Sequence, residues 1–396
     1  MMPVEPMLDT QAAGASVASS RIAQQRSAVA SERRTAKILE ISAYPPPRSG
    51  WAVRVEFVKQ RLEREGHACI VLNTGTSRAI PSTEYETVLS GTDYVRKVWR
   101  YCRAGYIVHA HANGDAEKGL VLGIIAEIIN LLCGRRCVLT FHAGAIQRLF
   151  PRYRNRWLIP AYWLLFAIPR RIICNSDAVA ARIAEYGVSR KKIVSIPAFS
   201  EQYLEFSPVP LPAPLETFLQ RHTQVVFTYV RMRPSFFSVT LIEGMAAVIA
   251  RNPGVGLVVC GMAGHSDEGV QPAFEAAVAK HGLAAHLCLL DDLDHDAFLT
   301  MLQRSTLYLR TPITDGVASS VMEALALRVP VVASENGTRP AGVLTYPAED
   351  AQAMAQTVER VLADRAAVVA AMPAVTVRDT VTDEVALLTA TSTGQG

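Results

Sequence analysis

A strand–helix alternation that runs twice, with a proline-rich break between the two runs, constrains this chain more than any other feature. Short apolar strands are expected over 37–42, 68–72, 106–110, 137–141, 171–174 and 193–196, with helical stretches between them. In the first of these, 53–66, Val55, Phe57, Val58 and Leu62 fall on one face. Residues 201–221 then hold four prolines and little periodicity, which reads as a linker centred on 206–221. The alternation restarts with strands over 225–229, 255–260, 286–290, 306–309 and 329–333 and helices over 239–250, 274–281, 296–304, 320–327 and 351–363. Such an order specifies parallel sheets with helices on both faces. The expected architecture is therefore α/β, with two parallel-sheet domains, 37–205 and 222–373, facing across a cleft. Residues 1–36 and 374–396 read as loose tails. Open parallel sheets bind ligands outside the carboxyl ends of their strands, so the chemistry is sought in the cleft.

A length of 396 residues exceeds one ordinary core and suffices for two. The net charge of +4, from 40 basic against 36 acidic residues, is too slight to predict a nucleic-acid partner. The seven cysteines are scattered and contain no Cys-x-x-Cys pair. Cys133 and Cys137 lack a second pair to complete a metal site, so buried thiols in a reducing cytoplasm are expected. Residues 1–36 show no continuous apolar stretch of the secretory type. The runs 119–133 and 157–168 both fall short of the roughly 20 residues that span a bilayer. The expectation is a cytoplasmic protein, free or peripheral on the inner face of the membrane. Arg148, Arg152, Arg154, Arg156, Arg170 and Arg171 flank the run WLIPAYWLLFAI. That pattern suits an anionic membrane surface, and equally a buried helix with a basic rim.

The segment richest in chemistry is 310–340, RTPITDGVASSVMEALALRVPVVASENGTRP. A strand ends near Arg310, a turn containing Gly316 follows, and Ser319 and Ser320 open a helix. A helix N-terminus in that setting offers free N–H groups and partial positive charge to a pyrophosphate. Asp315 and Glu323 flank the helix start and can face one bound ligand. Ser320 with Glu323 three residues later also fits a capping box, in which the glutamate merely bonds back to the N-cap amide.

Within this segment, DGVASSVMEALALRVPVVAS resembles the retaining GT-B glycosyltransferases of the GT4 type (glycosyl transferases group 1), in the version common in bacterial polysaccharide-assembly enzymes. Their mark is two acids separated by seven residues, here Asp315 and Glu323, with Asp standing where Glu is usual. The resemblance implies a GT-B fold of two Rossmann-like domains and transfer of a sugar from a nucleotide-sugar donor to a glycan or lipid-linked acceptor. It implies that Glu323 binds the ribose hydroxyls and that Asp315 faces the donor sugar. In VFTYVRMRPSFF, Arg231 occupies the position of a family arginine, and an arginine fork suits a diphosphate. Phe236 falls where the family has a lysine, and Arg233 is the candidate substitute. In TFHAGAIQRLF, His142 matches a histidine near the donor sugar. His109 and His111 in VHAHANG resemble a family strand end, with core or acceptor-side packing as the equal alternative. Ser49 and Gly50 correspond to a first loop close to phosphates or acceptor. No cofactor or metal is implied, since the nucleotide sugar is a substrate. The acidic run DDLDHD, 291–296, reads as a helix-opening turn rather than a cation site.

Two other classes compete. A degenerate member that only binds or scaffolds is motivated by Phe236 and by the shortened acid Asp315. A GT-B epimerase acting on a UDP-sugar is close in fold. A nicotinamide dehydrogenase is set aside because AYPPPRSGW lacks the glycine fingerprint.

Overall fold

The structure, a computed structural model, describes residues 35–45, 50–144, 147–262, 266–313 and 318–394. The N-terminal lobe runs β1 (Lys37–Ser42), α1 (Gly50–Arg64), β2 (Ala68–Asn73), α2 (Gly91–Arg103), β3 (Ile107–Ala112), α3 (Glu117–Leu132), β4 (Val138–Phe141), α4 (Ile159–Ala167), β5 (Arg171–Cys174), α5 (Asp177–Ala184) and β6 (Ile193–Ser195). Its six strands are parallel, in the order β2-β1-β3-β4-β5-β6. The C-terminal lobe follows with α6 (Ala213–Arg221), β7 (Gln224–Tyr229), α7 (Ser238–Arg251), β8 (Val255–Cys260), α8 (Val270–Lys280) and β9 (Leu287–Leu289). It continues through α9 (His295–Arg304), β10 (Leu307–Arg310), α10 (Ser319–Ala326), β11 (Val331–Ser334), β12 (Val343–Tyr346), α11 (Ala351–Ala363) and α12 (Arg365–Ala371). Its strands are also parallel, in the order β12-β11-β10-β7-β8-β9.

The strands are apolar because both of their faces are covered. In β8, VGLVVC, every residue is buried. The cores of the two lobes form around such strands, with Phe141, Phe150 and Phe166 filling the first and Val259, Met245 and Leu309 the second. Pro234–Arg251 is long and apolar enough to cross a membrane by composition alone. Its residues Leu241, Ile242, Met245 and Val248 are instead buried in the second core. There α7 lies directly on α11: a Cβ at Gly244 would stand 2.8 Å from Ala351 O, so only glycine permits the approach.

Two stretches differ from expectation. The proposed linker, 206–221, ends in helix α6, whose Leu215 is buried in the second lobe. The expected C-terminal tail, 374–396, contains α13 (Thr380–Thr393), opened by Asp379, whose carboxylate accepts from Thr382 N at 2.9 Å. Helix α13 crosses back to the N-terminal lobe and packs Val381, Val385 and Leu388 against Ile38, Val58 and Leu62. Those three residues recur at i, i+4 and i+7, a helical signal masked by the threonines around them.

The core role of α13 has a measurable consequence. Leu388 is fully buried, so Leu388→Ala is expected to cost about 2–4 kcal/mol of folding stability. Urea denaturation of the full chain reads this, and an unchanged midpoint would contradict the packing.

Candidate active site

In each sheet the chain reverses its direction of growth once, between β1 and β3 in the first and between β7 and β10 in the second. The carboxyl ends of strands at such switch points form a crevice, because the connections leave in opposite directions. The two crevices meet in a cleft of about 910 Å³. The N-terminal lobe contributes Gly50, Trp51, Arg54 and His142 to its walls, and the C-terminal lobe contributes Tyr229, Asp292, Arg310, Ser319, Ser320 and Glu323.

Two helix N-termini face each other there. Gly50 is the first residue of α1, and a Cβ on it would come within 3.7 Å of Ser319 Oγ, the first residue of α10. The first N–H groups of a helix have no intrahelical acceptor, so the two starts make a polar notch suited to an anion. Tyr203, in the segment joining the lobes, fixes the geometry by donating its hydroxyl to Gly50 O at 2.8 Å. Its ring packs with Val53, Phe199 and Met322, the last of these from α10 itself.

Glu323 is 5% exposed and lines the cleft. It does not form a capping box: the N-cap is Ala318, with no side-chain cap, and Ser320 Oγ instead takes the Tyr308 hydroxyl at 2.9 Å. Burial pushes the Glu323 carboxyl up to about 8. A carboxyl taken from water without donors is costly to ionise. Donors brought by a ligand would relieve that cost.

Neither arginine expected at the phosphates lines the cleft. Arg231 turns to the DDLDHD loop, with Nη2 3.0 Å from Asp292 Oδ2 and Nη1 donating to Gly261 O at 3.3 Å. Arg233 is exposed on the turn before α7 and does not line the cleft. Arg310, at the carboxyl end of β10, does line it, although it is only 7% exposed. Its Nη1 donates to Tyr229 O at 3.2 Å, and its guanidinium lies 5.4 Å from the Phe236 ring. Phe236, at the position where the resemblance implies a lysine, thus backs an arginine that reaches the cleft from another strand. The signal was present as a lone charge ending the apolar strand LYLR. Asp292, Asp294 and His295 of the acidic loop also face the cleft. Ser49, Asp315 and Gly316 lie outside the described residues.

On the opposite wall, His142 follows β4 with its ring edge-on to Trp51 at 4.8 Å. Behind it lie residues that sequence reasoning left as packing, or missed. His142 Nε2 is 2.8 Å from His111 Nδ1, and His111 Nε2 is 2.8 Å from Glu40 Oε2. Glu40 Oε1 is 2.8 Å from His109 Nδ1, and His109 Nε2 is 2.7 Å from Thr140 Oγ1. The strand β3 runs to Ala112, two residues past the expected end, which carries His111 into the sheet under the site. Glu40, His109 and His111 are the one group of three metal-type donors among the described residues, with donor atoms within 4.8 Å of one another. Each of those atoms is already committed to a hydrogen bond.

Residues 223–372 match the family Glycosyl transferases group 1, and residues 48–199 match Glycosyltransferase Family 4. No curated protein matches the chain. Among solved structures, Anabaena HepE in complex with UDP and glucose aligns with a TM-score of 0.65 at 16% identity, covering 91% of this chain and 98% of that one. Sucrose-phosphate synthase from Thermosynechococcus elongatus aligns with a TM-score of 0.62 at 16% identity, covering 91% and 97%. A Listeria monocytogenes protein assigned as a UDP-N-acetylglucosamine 2-epimerase aligns with 0.64 at 15% identity, covering 90% and 96%. These likenesses concern the fold. With one family match on each lobe and both crevices opening on a shared cleft, the chain belongs to the GT-B glycosyltransferases.

Proposed function

We propose that this transferase moves a sugar from a nucleoside-diphosphate donor to a glycan or lipid-linked acceptor, with retention at the anomeric carbon, in the assembly of a cell-surface polysaccharide. The observation that carries this reading is Glu323, a buried carboxyl facing the cleft beside the open start of α10. A ribose supplies two adjacent hydroxyl donors, which is what that carboxylate needs to ionise. The diphosphate then lies over the Ser319–Ser320 amides, opposite Gly50 and beside Arg310. Charge developing on the leaving diphosphate is stabilised by those N–H groups and by the guanidinium. This neutralisation calls for no metal. Asp315 and His142 are assigned to the donor sugar from the two lobes. Retention then proceeds without a protein nucleophile, the departing phosphate helping to deprotonate the acceptor hydroxyl.

The membrane reading rests on the surface of the N-terminal lobe. Trp157 is 94% exposed, with Tyr153 and Trp163 half-exposed nearby in sequence and Arg152, Arg154 and Arg156 among them. Aromatic rings interleaved with arginines suit the headgroup zone of an anionic bilayer, where a lipid-linked acceptor would be met. The shared fold of the Listeria protein keeps epimerisation as the second reading. Incubation with UDP-sugars and no acceptor separates the two, since an epimerase converts the donor to a new UDP-sugar and a transferase does not.

Two variants test the donor site. Because the folded Glu323 carboxyl holds its proton to about pH 8 while the unfolded one releases it near 4.5, ligand-free stability falls as pH rises through that window. Glu323→Gln should flatten that slope in thermal scans from pH 4.5 to 8, while weakening UDP binding by about 10–100-fold through loss of a charged acceptor. Calorimetry showing equal UDP affinity in this variant would sink the ribose assignment. Arg310→Ala should weaken UDP binding by about tenfold or more, whereas Arg233→Ala should leave it within about twofold. The reverse ranking would return the phosphate clamp to the loop before α7.

A further inference from the structure

The hydrogen-bonded chain behind His142 has a defined proton order. At Glu40, burial opposes ionisation, but the charge of His109 and hydrogen bonds from both imidazoles outweigh it and bring the carboxyl down to about 2. Glu40 is therefore an anion that can only accept, so His109 Nδ1 and His111 Nε2 must both donate to it. His109 also faces Glu384 of α13, whose Oε1 is 3.8 Å from its Nε2 and has no hydrogen bond among the described residues. Burial pulls the His109 imidazole down, but Glu40 and then Glu384 outweigh it and hold it above its ordinary value, favouring the cationic form. Glu384 Oε2 accepts from Arg54 Nε at 2.7 Å, and Arg54 donates its other nitrogens to Thr380 Oγ1 and Thr380 O at 2.8 and 2.6 Å. Two carboxylates, Glu40 and Glu384, thus face Arg54 and a His109 whose protonated form they favour, and all four residues are buried. Both charges of each sign are spent, and His111 and His142 are left to be neutral. Burial, and then the neighbouring imidazolium, hold His111 below its ordinary value. Burial and the other two imidazoles do the same to His142 more strongly.

A neutral His111 that donates through Nε2 has a bare Nδ1, and a bare nitrogen can only accept. The 2.8 Å contact from His142 Nε2 must then carry its proton on His142. We propose that Glu40, acting through His111, fixes His142 as the Nε2–H tautomer, so that His142 meets the cleft ligand with Nδ1 as a hydrogen-bond acceptor. Glu40 and His111 are then positioning residues, and Glu384 makes the C-terminal helix part of their charge balance. An acceptor nitrogen on this wall selects a hydroxyl donor: a hydroxyl of the bound sugar or of its incoming acceptor, and not a carboxylate or phosphate. The choice of ligand rests on the transferase reading; the proton order does not.

The test is a long-range 1H–15N correlation spectrum of the full chain labelled with 15N-histidine, which distinguishes protonated from bare ring nitrogens. Expected at pH 7.5 are His111 and His142 each as a single neutral tautomer, protonated at Nε2. A proton on Nδ1 of either residue, or a cationic His111, would overturn the proposal without any variant being made. His111→Phe removes the acceptor. His142 should then become a tautomer mixture, and kcat should fall about tenfold or more, with UDP affinity within about twofold of the parent. A His142 still locked at Nε2–H in that variant, with kcat unchanged, would equally sink the idea. Calorimetry of the parent chain with UDP keeps the two readings apart. Failure to bind UDP removes the donor-site assignment and leaves the tautomer result standing.

Discussion

The ion pair between Arg54 and Glu384 holds together parts of this molecule that lie 330 residues apart in the chain. Arg54 sits one turn into α1, whose N-terminus forms a wall of the cleft. Glu384 sits on α13, the last described helix, after the chain has completed the C-terminal lobe. Side chains of both residues are 3% exposed, so neither charge can be left alone without a severe desolvation cost. The pair therefore requires α13 to dock and α1 to keep its orientation. It also supplies the second anion that keeps the buried histidine cluster electrically balanced. Removing either partner would strand a charge in the same region that orients His142.

The C-terminal wall of the cleft is organised by the opposite device, a buried carboxyl with no ion-pair partner among the described residues. Glu323 faces the cleft with no hydrogen bond from the described residues, and burial raises it far above a normal carboxyl. A core built for stability alone would pair or remove such a group. Its retention at the start of α10 makes sense where a ligand brings the missing donors. Arg310 reaches the cleft from the end of β10, with its guanidinium against the Phe236 ring. The Arg231 side chain becomes a strut for the acidic loop.

Much of this was legible in the chain order. Short apolar strands and period-3.6 helices are local signals, and their alternation leaves few ways to fold other than parallel sheets. The α10 segment was legible as well, since Ser319, Ser320 and Glu323 reach the cleft through a single helix start. His142 is a candidate through the family resemblance of its strand end, and it lines the cleft. Arg310 was passed over because a charge at the end of a strand is unremarkable until the opposite lobe is in place. His109 and His111 were read with packing as an equal alternative, and alternation along a strand cannot say what stands beneath it. The tail became a helix because Val381, Val385 and Leu388 gained an apolar surface to cover, and that surface belongs to the other lobe.

The sequence by itself determined the two-domain α/β architecture, the cleft as the place for chemistry, and the helix start that carries Glu323. Each of these is encoded in residues within a few turns of one another. Only the tertiary structure decided which arginine faces the cleft, where the C-terminal helix docks, and which nitrogen of His142 holds its proton. Those outcomes depend on contacts between residues 31 to 330 positions apart, from His109–Thr140 to Arg54–Glu384. Distances of a few ångströms between such groups fix charge and hydrogen-bond direction, and no local pattern of side chains contains them.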